Sequence, residues 1–179
     1  MMTDTEFEIT VRDAAIHQSP SILPNSNKKR AVIVLSNIFK SSKEVVKIFA
    51  NRFESPICQD ATYVLELKEA IKTRNVKVQI LFTESPDDSS PACIMLKELL
   101  PNYSHCIEMK VISKAAEEEI NSKKINSGKP FRFAVADHRM FRYELNTTDY
   151  QAYFCFKDFE RAKKLENIFD VAFQKSSSV

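Results

Sequence analysis

A chain of 179 residues is long enough to bury one hydrophobic core of ordinary domain size. Its 44% hydrophobic and 28% charged residues are globular rather than disordered, and 13 Phe with no Trp predict a core built on phenylalanine. The 26 basic and 24 acidic residues leave a net charge of +2, which lacks the strongly basic balance of a dedicated nucleic-acid binder but permits a local patch.

Segments in chain order read as follows. Residues 6–12 alternate Phe7, Ile9 and Val11 against Glu6, Glu8, Thr10 and Arg12, which predicts a half-buried strand. Two prolines and a polar cluster make 18–30 a loop, whose Lys28-Lys29-Arg30 run is a solvated edge. The continuous β-branched run 31–36 predicts a strand buried on both faces. Ser41 and Glu44 have capping-box form, and Val45, Val46, Phe49 and Phe53 recur at helical spacing, so a helix is expected over 41–53. A second helix, 60–74, opens at Asp60 with Ala61, Val64, Leu65, Lys68 and Ile71 on one side, and leads into a buried strand at 76–82.

Pro86 and Pro91 bracket an acidic, serine-rich loop, followed by a helix over 92–100 that Pro101 should end. A strand is expected at 105–113. The charged, weakly periodic stretch 114–130 predicts a mobile helix-plus-loop insertion, since it offers no large apolar face. Two runs, 131–137 and 140–145, form a hairpin joined at His138-Arg139. A polar turn (146–149), a strand (150–156) and a helix capped by Asp158 complete the pattern, the helix carrying Phe159, Ala162, Leu165, Ile168, Phe169, Ala172 and Phe173 as an apolar stripe. The tail 176–179 should fray. The order β-α-α-β-α-β-β-β-α predicts an α/β domain over 31–175, a mixed sheet flanked by helices, with 1–30 as a strand and loop leading into it. Strand 31–36 should pair in parallel with 76–82 across the helical crossover.

Few chemistries survive the residue counts. The sole glycine is Gly128, so no glycine-rich loop can cradle a dinucleotide or phosphate. Cys58, Cys93, Cys106 and Cys155 have no C-x-x-C spacing, and His17, His105 and His138 do not sit at metal-ligand intervals from them, so reduced core thiols and no metal or cofactor are expected. No stretch approaches the roughly 18 apolar residues of a membrane span. The acidic start, Met1 to Glu8, has no secretory pattern, which predicts a cytoplasmic protein.

Residues 67–82 (LKEAIKTRNVKVQILF) and 130–144 (PFRFAVADHRMFRYE) together resemble the phospholipase-D-like superfamily. The first resembles its helix-into-strand unit, with Asn75 where glycine is usual. The second resembles its hairpin, which carries His-x-Lys-x4-Asp. Aligned on Asp137, the lysine position holds Arg132 and the histidine position holds Pro130. Glu144-Leu145 stands where Gly-Ser is common. The resemblance covers about residues 30–173 and implies one degenerate unit.

In that superfamily one histidine attacks phosphorus, a second protonates the leaving group, and the lysine steadies the phosphoryl oxygens. Proline supplies no nucleophile. Arginine keeps the charge and can grip phosphate bidentately. The resemblance therefore implies a non-catalytic binding or assembly module that forms a homodimer or joins a protein partner, such as the product of a neighbouring gene. The rivals are a phosphodiester hydrolase or nuclease with a displaced site using His138 or His105, and a weak phosphate or nucleic-acid binder. Candidate phosphate contacts are Arg132, Asp137 and Arg142, with Arg139 and Tyr143 in the same basic and aromatic patch. Asp137 also has a purely structural explanation as a turn residue. Ala134 and Ala136 share the strand face of Arg132 and leave room for either a ligand or a packed helix.

Overall fold

The computed structural model describes residues 2–122, 131–145 and 148–179. Within them the elements run α1 (Asp4–Ile16), β1 (Leu23–Asn25), α2 (Lys28–Ser41), β2 (Val45–Ala50), α3 (Ala61–Arg74), β3 (Lys77–Phe82) and α4 (Pro91–Tyr103). They continue with β4 (Ile107–Val111), α5 (Lys114–Ser122), β5 (Arg132–Ala136), β6 (Met140–Glu144), β7 (Ala152–Cys155), α6 (Phe159–Gln174) and β8 (Ser177–Ser178). One mixed sheet has the order β1-β7-β6-β5-β2-β3-β4-β8, with β2, β3 and β4 parallel and the remaining pairs antiparallel. The fold class is α/β, as the residue pattern predicts.

Helices α1 to α4 pack side by side over one face, enclosing a core that includes Phe39, Leu67, Ile80 and Phe154. On the other face α6 lies over β2, β5 and β6, and α5 packs against α6; this second core holds Phe49, Leu81, Phe133 and Phe169. Among the described residues no helix is long and apolar enough to cross a membrane.

The second half of the chain follows its sequence pattern closely. Helix α3 ends on Asn75 at φ 55°, ψ 33°, the left-handed stop in which asparagine replaces glycine. Its buried face is Tyr63, Leu67, Ala70 and Ile71, rotated from the expected one, and Leu65 points to solvent. Strands β3, β4 and β7 and the hairpin fall where expected, and Asp158 caps α6 by accepting from the Arg161 amide at 3.0 Å. Phe159 departs from the α6 stripe and is exposed.

The first half departs in several places, among them 18–30, where β1 and the first turn of α2, Lys28 to Arg30, stand in the expected loop. Residues 6–12 belong to α1, where Phe7, Val11 and Ala15 are buried at helical spacing and Ile9 is exposed. Thr3 and Glu6 form a reciprocal capping box that starts this helix, with the Thr3 amide donating to Glu6 Oε2 at 2.7 Å. The run 31–36 is helical, inside α2, and 45–50 is the strand. A short apolar run fits either period, and packing between neighbours overrides the β-branched preference of Val32, Ile33 and Val34. The parallel partner of β3 is consequently β2, not 31–36. Ser42 closes α2 by donating to Ile38 O at 2.6 Å, in place of the capping role expected for Ser41 and Glu44.

Smaller corrections concern ends. Helix α4 runs through Pro101 to Tyr103. Within 114–130, residues 114–122 form α5, since Ala116 and Ile120 suffice to dock it on α6; residues 123–130, Gly128 and Pro130 included, lie outside the described residues. The tail is paired: Ser177 and Ser178 extend the sheet beside β4, and the Val179 amide donates to Met109 O.

One charged group is buried beneath α6. Lys47 of β2, 8% exposed, donates to Asp170 at 2.9 Å and lies 4.0 Å from Glu166, itself buried. Lys47→Met strands the Glu166 carboxylate and should lower stability by about 3 kcal/mol in urea denaturation, whereas Lys47→Met with Glu166→Leu should recover most of that loss. Equal losses in the single and double variants would refute the ion pair as the cause.

Candidate functional site

The antiparallel register of the hairpin sets the site. Arg132 stands opposite Glu144 and Ala134 opposite Arg142, so two arginines and a glutamate share one strand face. The side chains of Arg132, Arg142 and Glu144 line a cavity of about 110 Å³, and Ala134 leaves the space between them open. Phe49, Phe53 and Tyr63 are among its aromatic walls.

Arg142 is 4% exposed. Its Nε donates to Asn25 Oδ1 at 3.2 Å, and its Nη2 donates to Tyr150 O at 3.1 Å and lies 3.5 Å from Glu144 Oε1. Burial lowers the Arg142 pKa, an effect that Glu144 opposes. Burial likewise raises the Glu144 carboxyl above its usual range, opposed by Arg142 and then Arg132. Arg132 is half-buried: its Nε donates to Asn51 Oδ1 at 2.5 Å, its Nη1 donates to Phe131 O at 2.7 Å, and its guanidinium lies 5.1 Å from the Phe49 ring centre. Desolvation lowers its pKa against the fields of Glu117, Glu144 and Glu84. Two guanidiniums and one carboxylate in a confined space favour a singly charged anion.

Among the described residues, no side chain lining the cavity is an activated nucleophile. The Cys58 thiol is pushed up to about 12 by burial, leaving almost no thiolate at neutral pH. Burial also raises Tyr63 well above its ordinary value. Ser55 Oγ accepts from the Ile57 amide, and no imidazole stands beside it. His17 Nδ1 sits 2.9 Å from Asp13 O at the end of α1, and His105 stacks on Tyr103. His138 Nδ1 lies 2.9 Å from Glu166 Oε2, and none of the three histidines lines the cavity. Among the described residues no cluster of three potential ligands could hold a metal ion.

Asp137 sits at the far end of β5 from Arg132. Its carboxylate accepts the amides of Lys43 at 2.8 Å, Glu44 at 3.0 Å and Val45 at 3.1 Å, which clamps the hairpin to the start of β2. The hairpin connection is 137–139, with Asp137 and His138 both at positive φ. The structure thus brings Arg132 and Arg142 together and leaves Asp137 apart from them. Glu144, Asn51, Asn25 and Tyr150 complete the site without having been anticipated. Only Glu144 carried a signal: two residues after Arg142 on a strand, it must share that face.

No family model matches the chain, and no curated protein matches its sequence. Solved structures do. Nuc from Salmonella typhimurium, a phospholipase D family member, superposes with a TM-score of 0.62 at 13% identity over 90% of this chain and 99% of that one. The chain has the phospholipase-D-like fold. NucT from Helicobacter pylori gives a TM-score of 0.61 at 15% identity, over 89% and 99% of the two chains. TrmBL2, an archaeal chromatin protein described with a novel mode of DNA binding, gives 0.61 at 13% identity. That match takes in 98% of this chain but 62% of TrmBL2, so the present chain spans under two thirds of that protein. On this phospholipase-D-like fold the cavity contains Arg132, the position that the hairpin resemblance equates with the lysine.

Asp137→Ala removes the acceptor of three amides and should cost about 3 kcal/mol, read as a shifted urea midpoint. An unchanged midpoint would mean that these amides find water instead.

Proposed function

We propose that this phospholipase-D-like domain is a non-catalytic binding module whose cavity holds one phosphodiester group between Arg132 and the Arg142–Glu144 pair. The observation that carries this reading is the content of the cavity: two arginines and a carboxylate line it, and no histidine does. Arginine at the lysine position would retain the grip on phosphate oxygens, and among the described residues no imidazole lines the cavity to attack phosphorus. The four free, buried cysteines suit a reducing compartment and support a cytoplasmic location.

A phosphodiester within nucleic acid is a second source of the same group. The DNA-binding description of TrmBL2 favours it, and the near-balanced charge of the present chain makes such binding weak.

Dimethyl phosphate is a suitable probe, because its single charge is constant from neutral to mildly acidic pH. It should raise the melting temperature of the wild type, and Arg132→Ala should abolish the rise. Ionised Glu144 repels the probe, so affinity should increase as the pH falls through the raised Glu144 pKa. Glu144→Gln should bind about tenfold tighter at neutral pH, equivalent to roughly 1.4 kcal/mol, and lose the pH dependence. Salt-sensitive binding of duplex DNA that disappears in Arg132→Ala would identify nucleic acid as the source. Hydrolysis of a generic phosphodiester, lost in His138→Ala or His105→Ala, would overturn the non-catalytic reading.

A further inference from the structure

Three neighbouring strands bring their ends together beside the cavity. Asn51 follows β2, Thr83 follows β3, and Arg132 opens β5, which runs antiparallel to β2. Asn51 is exposed and lines the cavity. Its Oδ1 accepts from Arg132 Nε at 2.5 Å and lies 3.4 Å from the Thr83 hydroxyl. Arginine has donors only, so the carboxamide atom that faces it is the oxygen. The amide nitrogen Nδ2 is thereby left out of that bond, and no described residue accepts from it.

Arg132 is in the same condition. Its Nε is taken by Asn51 and its Nη1 by Phe131 O, while no described residue accepts from Nη2. Each of these nitrogens is two covalent bonds from an atom of the shared hydrogen bond, so they lie within about 7 Å of each other. The two nonbridging oxygens of one tetrahedral phosphate, each accepting at about 2.8 Å, fit between donors so placed.

The carboxylates of Glu117, Glu144 and Glu84 already act on Arg132. A neutral amide beside it adds a hydrogen bond to an anion without adding charge, which suits a ligand with a single negative charge.

We propose that Asn51 is a specificity-determining residue of the cavity, its Nδ2 donating to one nonbridging oxygen of a bound phosphodiester while Arg132 Nη2 donates to the other. This role rests on the phosphodiester reading of the cavity and extends it: both nonbridging oxygens are read, one by a cation and one by an amide.

Exchanging one nonbridging oxygen for sulfur tests the role, because dimethyl phosphorothioate keeps the single charge but offers a poorer acceptor. In NMR titrations of the full chain, the wild type should bind dimethyl phosphate about tenfold tighter than the phosphorothioate. Asn51→Ala should bind dimethyl phosphate about tenfold more weakly and show no preference, since Arg132 keeps the oxygen and nothing faces the sulfur. The wild type supplies a second readout that needs no variant: the side-chain amide protons of Asn51 should move downfield as dimethyl phosphate binds. If Asn51 merely holds Arg132 in place, Asn51→Ala weakens both probes equally and their ratio stays at the wild-type value, which would overturn the role. So would a wild type that binds both probes alike, or Asn51 amide protons that do not move at saturation. Failure of the wild type to bind either probe would overturn the phosphodiester reading itself, and this role with it.

Discussion

The carboxylate of Asp137 holds the junction on which the sheet is built. Strand β2 has a parallel neighbour, β3, on one side and an antiparallel one, β5, on the other. Three consecutive amides at its entrance, 43–45, converge on one side chain from the hairpin. The Asp137 amide returns a bond to Val45 O, so both strands are fixed in register from the same end. A slip of one residue would turn Arg132 and Arg142 to the α6 face and place phenylalanines where the cavity is. The clamp therefore acts on the site from a distance, by setting which face each side chain occupies.

Within the cavity, charge is arranged to be used sparingly. Arg142 would be costly to bury alone; Asn25 and Tyr150 accept from its Nε and Nη2 and Glu144 lies beside it, while Arg132 stands nearer the surface. Glu144 keeps the pair close to neutral and tempers attraction for multiply charged anions. The aromatic walls lower the local dielectric and strengthen the polar contacts within. Burial holds the thiol of Cys58 and the phenol of Tyr63 protonated.

Among the described residues the two faces of the sheet are covered unequally, four helices against two. Where α6 does not reach, the flank toward β4 is polar, with Lys77 paired to Glu108, while Tyr153 stands 45% exposed on the flank toward β1. The buried Lys47 beneath α6 shows the same economy: its ammonium is neutralised by two acids on a single helix rather than left to water.

Much of the second half was legible because its signals are local. Asn75 ends a helix by its own backbone preference, Asp158 caps the next by its own side chain, and the hairpin alternates around a turn that tolerates positive φ. The substitution pattern of the hairpin also pointed to Arg132 before any contact was visible. Residues 31–36 and 45–50 were interchanged because six apolar residues satisfy a helical period and a strand period alike. Their assignment rests on whether a neighbouring strand or a neighbouring helix receives them. The sequence by itself determined an α/β chain and a hairpin that resembles the phospholipase-D-like one, with Arg132 where a lysine and Pro130 where a histidine would stand. Only the tertiary structure decided that Arg132 and Arg142 share a cavity with Glu144 while Asp137 lies apart, because strand register and long-range packing, not local preference, bring residues 25, 51, 63 and 142 to one place.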